Sequence, residues 1–188
     1  MKALIVIDVQ HGLFASSPPP FDSQDVISRI NALSNRARSH GVPVIFVQHE
    51  ATTGDYFRHG SDAWKLDHRL ETTPADHYVR KTTPDAFLQT ALQAVLTKTG
   101  CTDVVVCGYA TEFCIDTSVR RAAGLGYNVV LASDAHTTHD KAHATAAQII
   151  AHHTATLPAI KSFGVQIVAQ ESGTLDFQGS SPSPSQHR

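Results

Sequence analysis

The chain is poor in the features that mark several large classes of protein. It holds three cysteines, Cys101, Cys107 and Cys114, spaced by 6 and 7 residues, and a single tryptophan among 188 residues. An odd number of thiols without a CxxC pair argues against a disulfide framework and fits free thiols in a reducing compartment. No apolar run approaches the roughly 18 residues that a membrane-spanning helix needs. The N-terminal run Ala3–Ile7 ends at Asp8 and is too short for a secretory signal, so a cytoplasmic location is expected. Excess positive charge is also missing. With 15 Lys+Arg against 17 Asp+Glu, the net charge is -2, which gives no pull toward nucleic acid or an anionic membrane. Neither is expected as a partner. The dinucleotide fingerprint GxGxxG, the phosphate loop GxxxxGK[ST], the nucleophile elbow GxSxG and the metalloprotease HExxH are all absent.

What is present is an ordinary globular composition, 41% hydrophobic and 17% charged, in a length suited to one domain. Apolar runs at Ala3–Ile7, Val42–Val47, Val104–Cys107, Val129–Leu131 and Val165–Val168, with a shorter one at Tyr78–Arg80, predict six strands. They do not alternate polar and apolar, so both faces of the sheet are expected to be covered, as in a parallel sheet. Helical spacing predicts helices over Ser23–His40, Phe87–Thr99, Phe113–Leu125 and Thr138–Leu157, stopped by Gly41, Gly100, Gly126 and Pro158. This alternation implies a single α/β domain with right-handed crossovers. Residues Glu50–His77 lack periodicity and read as a binding loop or lid. The domain is expected over 1–171, with a disordered Ser/Gly/Pro-rich tail at 172–188.

Ligands of open α/β sheets sit beyond the carboxyl ends of the strands. Three chemically useful residues fall there: Asp8 after the first strand, Lys81 at the end of the third, and Cys114 shortly after the fourth. Each has an ordinary reading as well: a turn-forming acid, a surface lysine, a small buried hydrophobe. An acid directly after five apolar residues nevertheless needs a partner. Thr111 is a candidate N-cap, which would set Cys114 in the first helical turn, where free N–H groups favour a thiolate. Cys101 and Cys107 read as packing residues. His136, His139 and His143 have metal-like spacing, the last two at i, i+4 on the predicted helix, but with no carboxylate or cysteine at matching spacing they read as a solvated helix face.

Three ordered stretches carry a family resemblance: Ala3-Leu-Ile-Val-Ile-Asp-Val-Gln10, Val79-Arg-Lys-Thr-Thr-Pro-Asp-Ala-Phe87 and Cys107-Gly-Tyr-Ala-Thr-Glu-Phe-Cys-Ile-Asp-Thr-Ser118. With Gly126–Val130 and Ser133–Ala135 they resemble the isochorismatase-like cysteine hydrolase superfamily, which includes nicotinamidases and N-carbamoylsarcosine amidohydrolase-like enzymes. The resemblance implies a three-layer α/β/α sandwich around a mainly parallel, Rossmann-like six-stranded sheet. It implies a catalytic triad of Asp8, Lys81 and Cys114. It further implies a cis peptide between Tyr109 and Ala110, and an oxyanion hole built from the N–H groups of Ala110 and Cys114. The expected activity is hydrolysis of an amide, carbamoyl or lactam-like carbon–nitrogen bond through a thioester on Cys114. Family members that act on isochorismate lack this cysteine. Assembly into at least a dimer is also implied.

One stretch departs from the nicotinamidase pattern. Where those enzymes carry a metal-binding Asp-x-His pair, this chain has His49-Glu50-Ala51. No metal or other cofactor is therefore expected, and His49 reads either as a pocket group or as a strand-end histidine bonded to backbone. The substrate pocket is expected to be lined by Phe14, His49, Trp64, Tyr109 and Phe113. Two alternatives stay open at this level: a non-catalytic member of the fold, and a redox sensor with Cys114 as its thiol and Cys107 as the resolving partner.

Overall fold

The structure is a computed structural model that describes residues 1–177. Six strands, β1 (Lys2–Ile7), β2 (Val44–His49), β3 (His77–Lys81), β4 (Asp103–Tyr109), β5 (Asn128–Thr137) and β6 (Ile167–Gln170), form one sheet in the order β3-β2-β1-β4-β5-β6. All five pairings are parallel. The helices are α1 (His11–Phe14), α2 (Ser23–Ser39), α3 (Leu92–Lys98), α4 (Asp116–Gly124) and α5 (Ala146–Ala159). None is long and apolar enough to cross a membrane.

The unbroken apolar runs have a direct structural cause. Successive side chains of a strand point to opposite faces. In β1, Ala3, Ile5 and Ile7 enter one core with Leu92, Val119 and Leu157, while Leu4 and Val6 enter a second core with Ile27, Ile30 and Leu33. The sheet is thus covered by α2 on one face and by α3, α4 and α5 on the other, the three-layer architecture expected. The order reverses between β1 and β4, whose chains leave the sheet in different directions. A crevice opens at their carboxyl ends.

Several predicted boundaries move, each for a local reason. The helix expected from Phe87 begins only at Leu92. Asp85 Oδ1 accepts the N–H groups of Phe87 and Leu88, and Gln89 adopts a left-handed conformation (φ 55) that interrupts any helix. The helix expected from Thr138 begins at Ala146, where Thr145 and Gln148 form a capping box. Pro158 lies inside its last turn rather than beyond it. The strand predicted at Val129–Leu131 continues to Thr137 because Ala132 and Ala135, and even His136, are buried there.

The expected exit from the fold after Glu171 is also corrected. Ser172 donates through both N–H and Oγ to Asp134, at 2.7 and 2.8 Å, and Leu175 and Phe177 are buried in the α2-side core. Polar composition hid two apolar anchors. The rest of the predicted tail, 178–188, lies outside the described residues.

Candidate active site

β1 ends because Asp8 turns into the left-handed region at φ 52, a conformation that aspartate tolerates better than most residues. Its N–H still bonds the Val47 carbonyl at 2.8 Å, and its side chain is buried beneath the crevice. β3 ends at Lys81, also fully buried, whose ammonium lies 2.7 Å from Asp8 Oδ2, 3.3 Å from Cys114 Sγ and 3.2 Å from the Thr83 carbonyl. Three donors meet three acceptors. Asp8 Oδ1 is left buried without a partner. The three residues picked out separately from the sequence thus converge on one point.

The turn that carries Cys114 is not the helix start expected. Thr111–Ile115 forms a π-helical turn that opens at Ala110, with the Ile115 N–H bonded to the Ala110 carbonyl at 3.1 Å. Thr111 therefore does not cap. Its hydroxyl instead bonds His136 Nδ1 at 2.9 Å. The peptide between Tyr109 and Ala110 is cis.

The thiol also differs from the thiolate expected of a helix start. Burial and the Asp8 carboxylate push the Cys114 thiol up to about 12, against the opposing pull of Lys81. Burial alone would lower the Lys81 ammonium, but Asp8 and then Cys114 outweigh it and hold the group above the ordinary lysine range. The resting site is an Asp8–Lys81 ion pair beside a protonated thiol.

Above this cluster lies a cavity of about 240 Å³. Of the five residues expected to line it, His49, Tyr109 and Phe113 do. Phe14 does not: it is buried behind Tyr109, edge-on at 5.9 Å. Trp64 does not either. Its ring packs against His59 at 4.5 Å, and its carbonyl is held by Gln10 and Gln48. Leu13, Phe57 and Pro84 take their places, and sequence reasoning missed all three. Phe57 packs edge-on to His49 at 6.4 Å. Burial and then Lys81 lower the His49 imidazole, so it is neutral.

Gln10 is a further omission. Fully buried, it donates to the carbonyls of His49 and Trp64, at 2.9 and 2.7 Å, and accepts from the His49 N–H at 2.8 Å. It pins both the pocket histidine and the 50–76 segment. A polar residue at the end of a run of buried positions was the available signal.

The residues beside His49 do not make a metal site with it. Glu50 faces Arg80 at 3.4 Å, and Ala51 has no donor. One three-residue group among the described residues, His11, Asp67 and His68, has ligand atoms close enough to share an ion. It lies apart from the cavity lining, and Arg69 already holds both Asp67 oxygens, at 2.7 and 3.0 Å. The spacing of His136, His139 and His143 does not survive folding, because 138–145 is a loop and not a helix. His136 is buried on β5, bonded to Thr111 and, at 3.1 Å, to Thr154, while His143 is exposed.

His136 has a consequence of its own. Burial lowers its pKa from 6.5 to about 4. The unfolded chain takes up this proton below pH 6.5, but the folded chain does so only near pH 4. The contribution of His136 to stability is therefore fully present above 6.5 and is lost as the pH falls toward 4, on the order of 3 kcal/mol. Urea unfolding at pH 7 and pH 4.5 is expected to show this loss in the native chain and a smaller one in His136→Gln. Equal losses would remove His136 from the account.

Comparison with known proteins agrees with this geometry. The Isochorismatase domain model matches residues 2–161. The chain belongs to the isochorismatase family. A streptothricin hydrolase of Streptomyces noursei is 36% identical over 140 residues, covering 74% of this chain and 51% of the hydrolase. The chain spans about half the length of the two streptothricin hydrolases it matches, 51% and 56%. Nicotinamidase 3 of Arabidopsis thaliana is 28% identical over 155 residues, 75% of each chain. A crystal structure of an isochorismatase family protein superposes with a TM-score of 0.82 at 37% identity, covering 90% of this chain and 98% of that one.

Within the family fold, the redox alternative loses its second thiol. Cys107 is wholly buried in the α2-side core, bonded to the Ile5 carbonyl at 3.7 Å, whereas Cys114 packs against the opposite core. The sheet separates them.

Proposed function

We propose that this isochorismatase-family chain is a cysteine amidohydrolase that cleaves a non-peptide carbon–nitrogen bond of a small molecule through a thioester on Cys114. The observation that carries the reading is the convergence of a carboxylate, an ammonium and a thiol beneath a largely apolar cavity, at 2.7 and 3.3 Å from a shared Lys81 nitrogen. The printed activities of two relatives, a streptothricin hydrolase and a nicotinamidase, agree in kind.

In this reading the unpartnered Asp8 Oδ1 takes the thiol proton as the sulfur–carbon bond forms. Delaying ionisation until attack suits a thiol held as high as this one. The carbonyl electrons move to oxygen, which the N–H groups of Ala110 and Cys114 stabilise. Asp8 then returns the proton to the departing nitrogen, and the carbon–nitrogen bond breaks. Water attacks the thioester and gives its proton to Asp8, the carbon–sulfur bond breaks, and Asp8 passes that proton to the departing sulfur, which restores the thiol and releases the acid. Lys81 remains a cation throughout and keeps Asp8 charged between proton transfers. No step needs a Lewis acid. The enzyme is proposed to act in the cytoplasm as a dimer or larger assembly, and a monomeric elution volume at micromolar concentration would refute the assembly.

The test is a panel of nicotinamide, a small lactam and N-carbamoylglycine, with amine or ammonia release as one readout and intact mass as the other. An acyl adduct on Cys114 with turnover is the expected result. Release that persists in a chain lacking the thiol would overturn the mechanism. Exhaustive chelation is expected to leave the activity unchanged. Loss on chelation with recovery on adding zinc or iron would show that His49 serves a metal site after all.

A further inference from the structure

Two of the cavity's aromatic walls, Tyr109 and Phe113, are held from behind by the segment that follows β5. The Tyr109 hydroxyl lies 2.9 Å from His139 Nδ1, and His139 Nε2 lies 2.9 Å from Ser16 Oγ. Ser16 Oγ is also 2.7 Å from the Leu13 carbonyl and 3.0 Å from that of Pro18. Thr138 and Lys141 both reach Glu112 Oε1, at 2.9 and 3.2 Å, and the Lys141 ammonium sits 5.5 Å from the Phe113 ring centre.

The direction of the first chain follows from counting hydrogens. Ser16 has one, and two carbonyl oxygens close by can only accept. If Ser16 gave its hydrogen to His139, the 2.7 Å approach to Leu13 would bring two oxygens together with no hydrogen between them. Ser16 therefore donates to a carbonyl and accepts from His139 Nε2–H. His139 Nδ1 is left as an acceptor, and the Tyr109 hydroxyl donates to it. The chain joins the segment after β1, the last residue of β4 and the loop after β5.

We propose that His139 is a positioning residue for this site: as a neutral imidazole it accepts the Tyr109 hydroxyl, fixes that ring against the cavity, and so selects small amides with a flat apolar body. The proposal rests on Cys114 being the reactive thiol. A second proton on His139 would reverse this bond, Nδ1–H donating to the Tyr109 oxygen, so the contact does not depend on the imidazole staying neutral. The titratable and charged groups facing His139 are Tyr109, Glu112, Asp140 and Lys141. Burial, with a further push from Lys141, lowers the imidazole, which keeps it neutral near pH 7.

The test uses two electrophiles that differ by one ring, iodoacetamide and 2-iodo-N-phenylacetamide. Each alkylates sulfur with loss of iodide. The ratio of their rate constants at Cys114, read by peptide mass, cancels the ionisation of the thiol. In the native chain the ratio is expected to favour the phenyl compound. In His139→Ala it should fall about fivefold, the scale of one neutral hydrogen bond. His139→Asn, whose amide oxygen can still accept from Tyr109, should recover at least half of that. A His139→Ala ratio within twofold of the native one overturns the proposal. Should His139→Ala fail to fold, Tyr109→Phe decides: it removes the same hydrogen bond while keeping the ring and should show the same fall. Failure of Cys114 to react faster than Cys101 in the native chain would overturn the nucleophile assignment and this proposal together. Ready alkylation with an unchanged ratio would overturn this proposal alone.

Discussion

Cys114→Ala is expected to lower turnover by about 10⁴-fold or more, because the covalent bond on which both halves of the reaction depend forms on its sulfur. The fold should be unaffected. The side chain sits at a cavity edge, half-buried, so its loss leaves little new void. Asp8→Asn should cost about 10²–10⁴-fold as the general acid and base disappears. It also leaves the Lys81 ammonium fully buried without its carboxylate, so lost stability should accompany lost activity, unlike in the cysteine variant. Steady-state rates alongside thermal unfolding separate the two cases. Turnover near the native rate in Cys114→Ala would refute the mechanism outright.

Gly108→Ala should be the most damaging single methyl in the chain's central strand. Gly108 adopts φ +118, and a Cβ there would lie 2.1 Å from the Ile7 carbonyl oxygen and 2.8 Å from its nitrogen. Both are backbone atoms of the neighbouring strand, whose register pairs Ile7 with Gly108, so no side-chain rotation relieves the overlap. The strand would have to move away from β1 directly beside Asp8 and the Tyr109–Ala110 peptide. A cost above about 4 kcal/mol is expected, the range reserved for severe packing or backbone conflicts. For a chain of this size that corresponds to a fall in Tm of roughly 10–15 °C. Gly41→Ala supplies the control. Gly41 also has positive φ, at +67, but nothing lies within 4 Å of its added Cβ. Only conformational strain of about 1–2 kcal/mol should appear there. Similar losses in the two variants would show that close approach to Ile7 is not the cause.

The layered fold was legible in the sequence because burial on both faces leaves a mark on every residue of a strand. The apolar runs of β1, β2 and β4 needed no knowledge of their neighbours. Asp8, Lys81 and Cys114 stood out for a related reason: each is a reactive side chain placed where an apolar run stops. Helix starts were less legible. Asp85 and Gln89 set one through a turn and a left-handed residue, and Thr145 set another through a capping box whose TxxQ pattern went unread.

What the tertiary structure alone decided is which side chains meet. Phe57 and Leu13 reach the cavity while Trp64 and Phe14 turn away, because Gln10 and Gln48 hold the Trp64 carbonyl and the core takes Phe14. Nothing local in an irregular segment fixes the direction of an aromatic ring. His139, read from its spacing as part of a solvated helix face, became the partner of Tyr109, since a loop carries it where a helix was expected. The protonation of Cys114 is of the same kind. Position near a helix start favours a thiolate, but burial and then the Asp8 carboxylate beside it outweigh that, and the carboxylate arrives from a strand more than a hundred residues away in the chain. Periodicity and local chemistry belong to the sequence, whereas charge and contact depend on neighbours that only folding supplies.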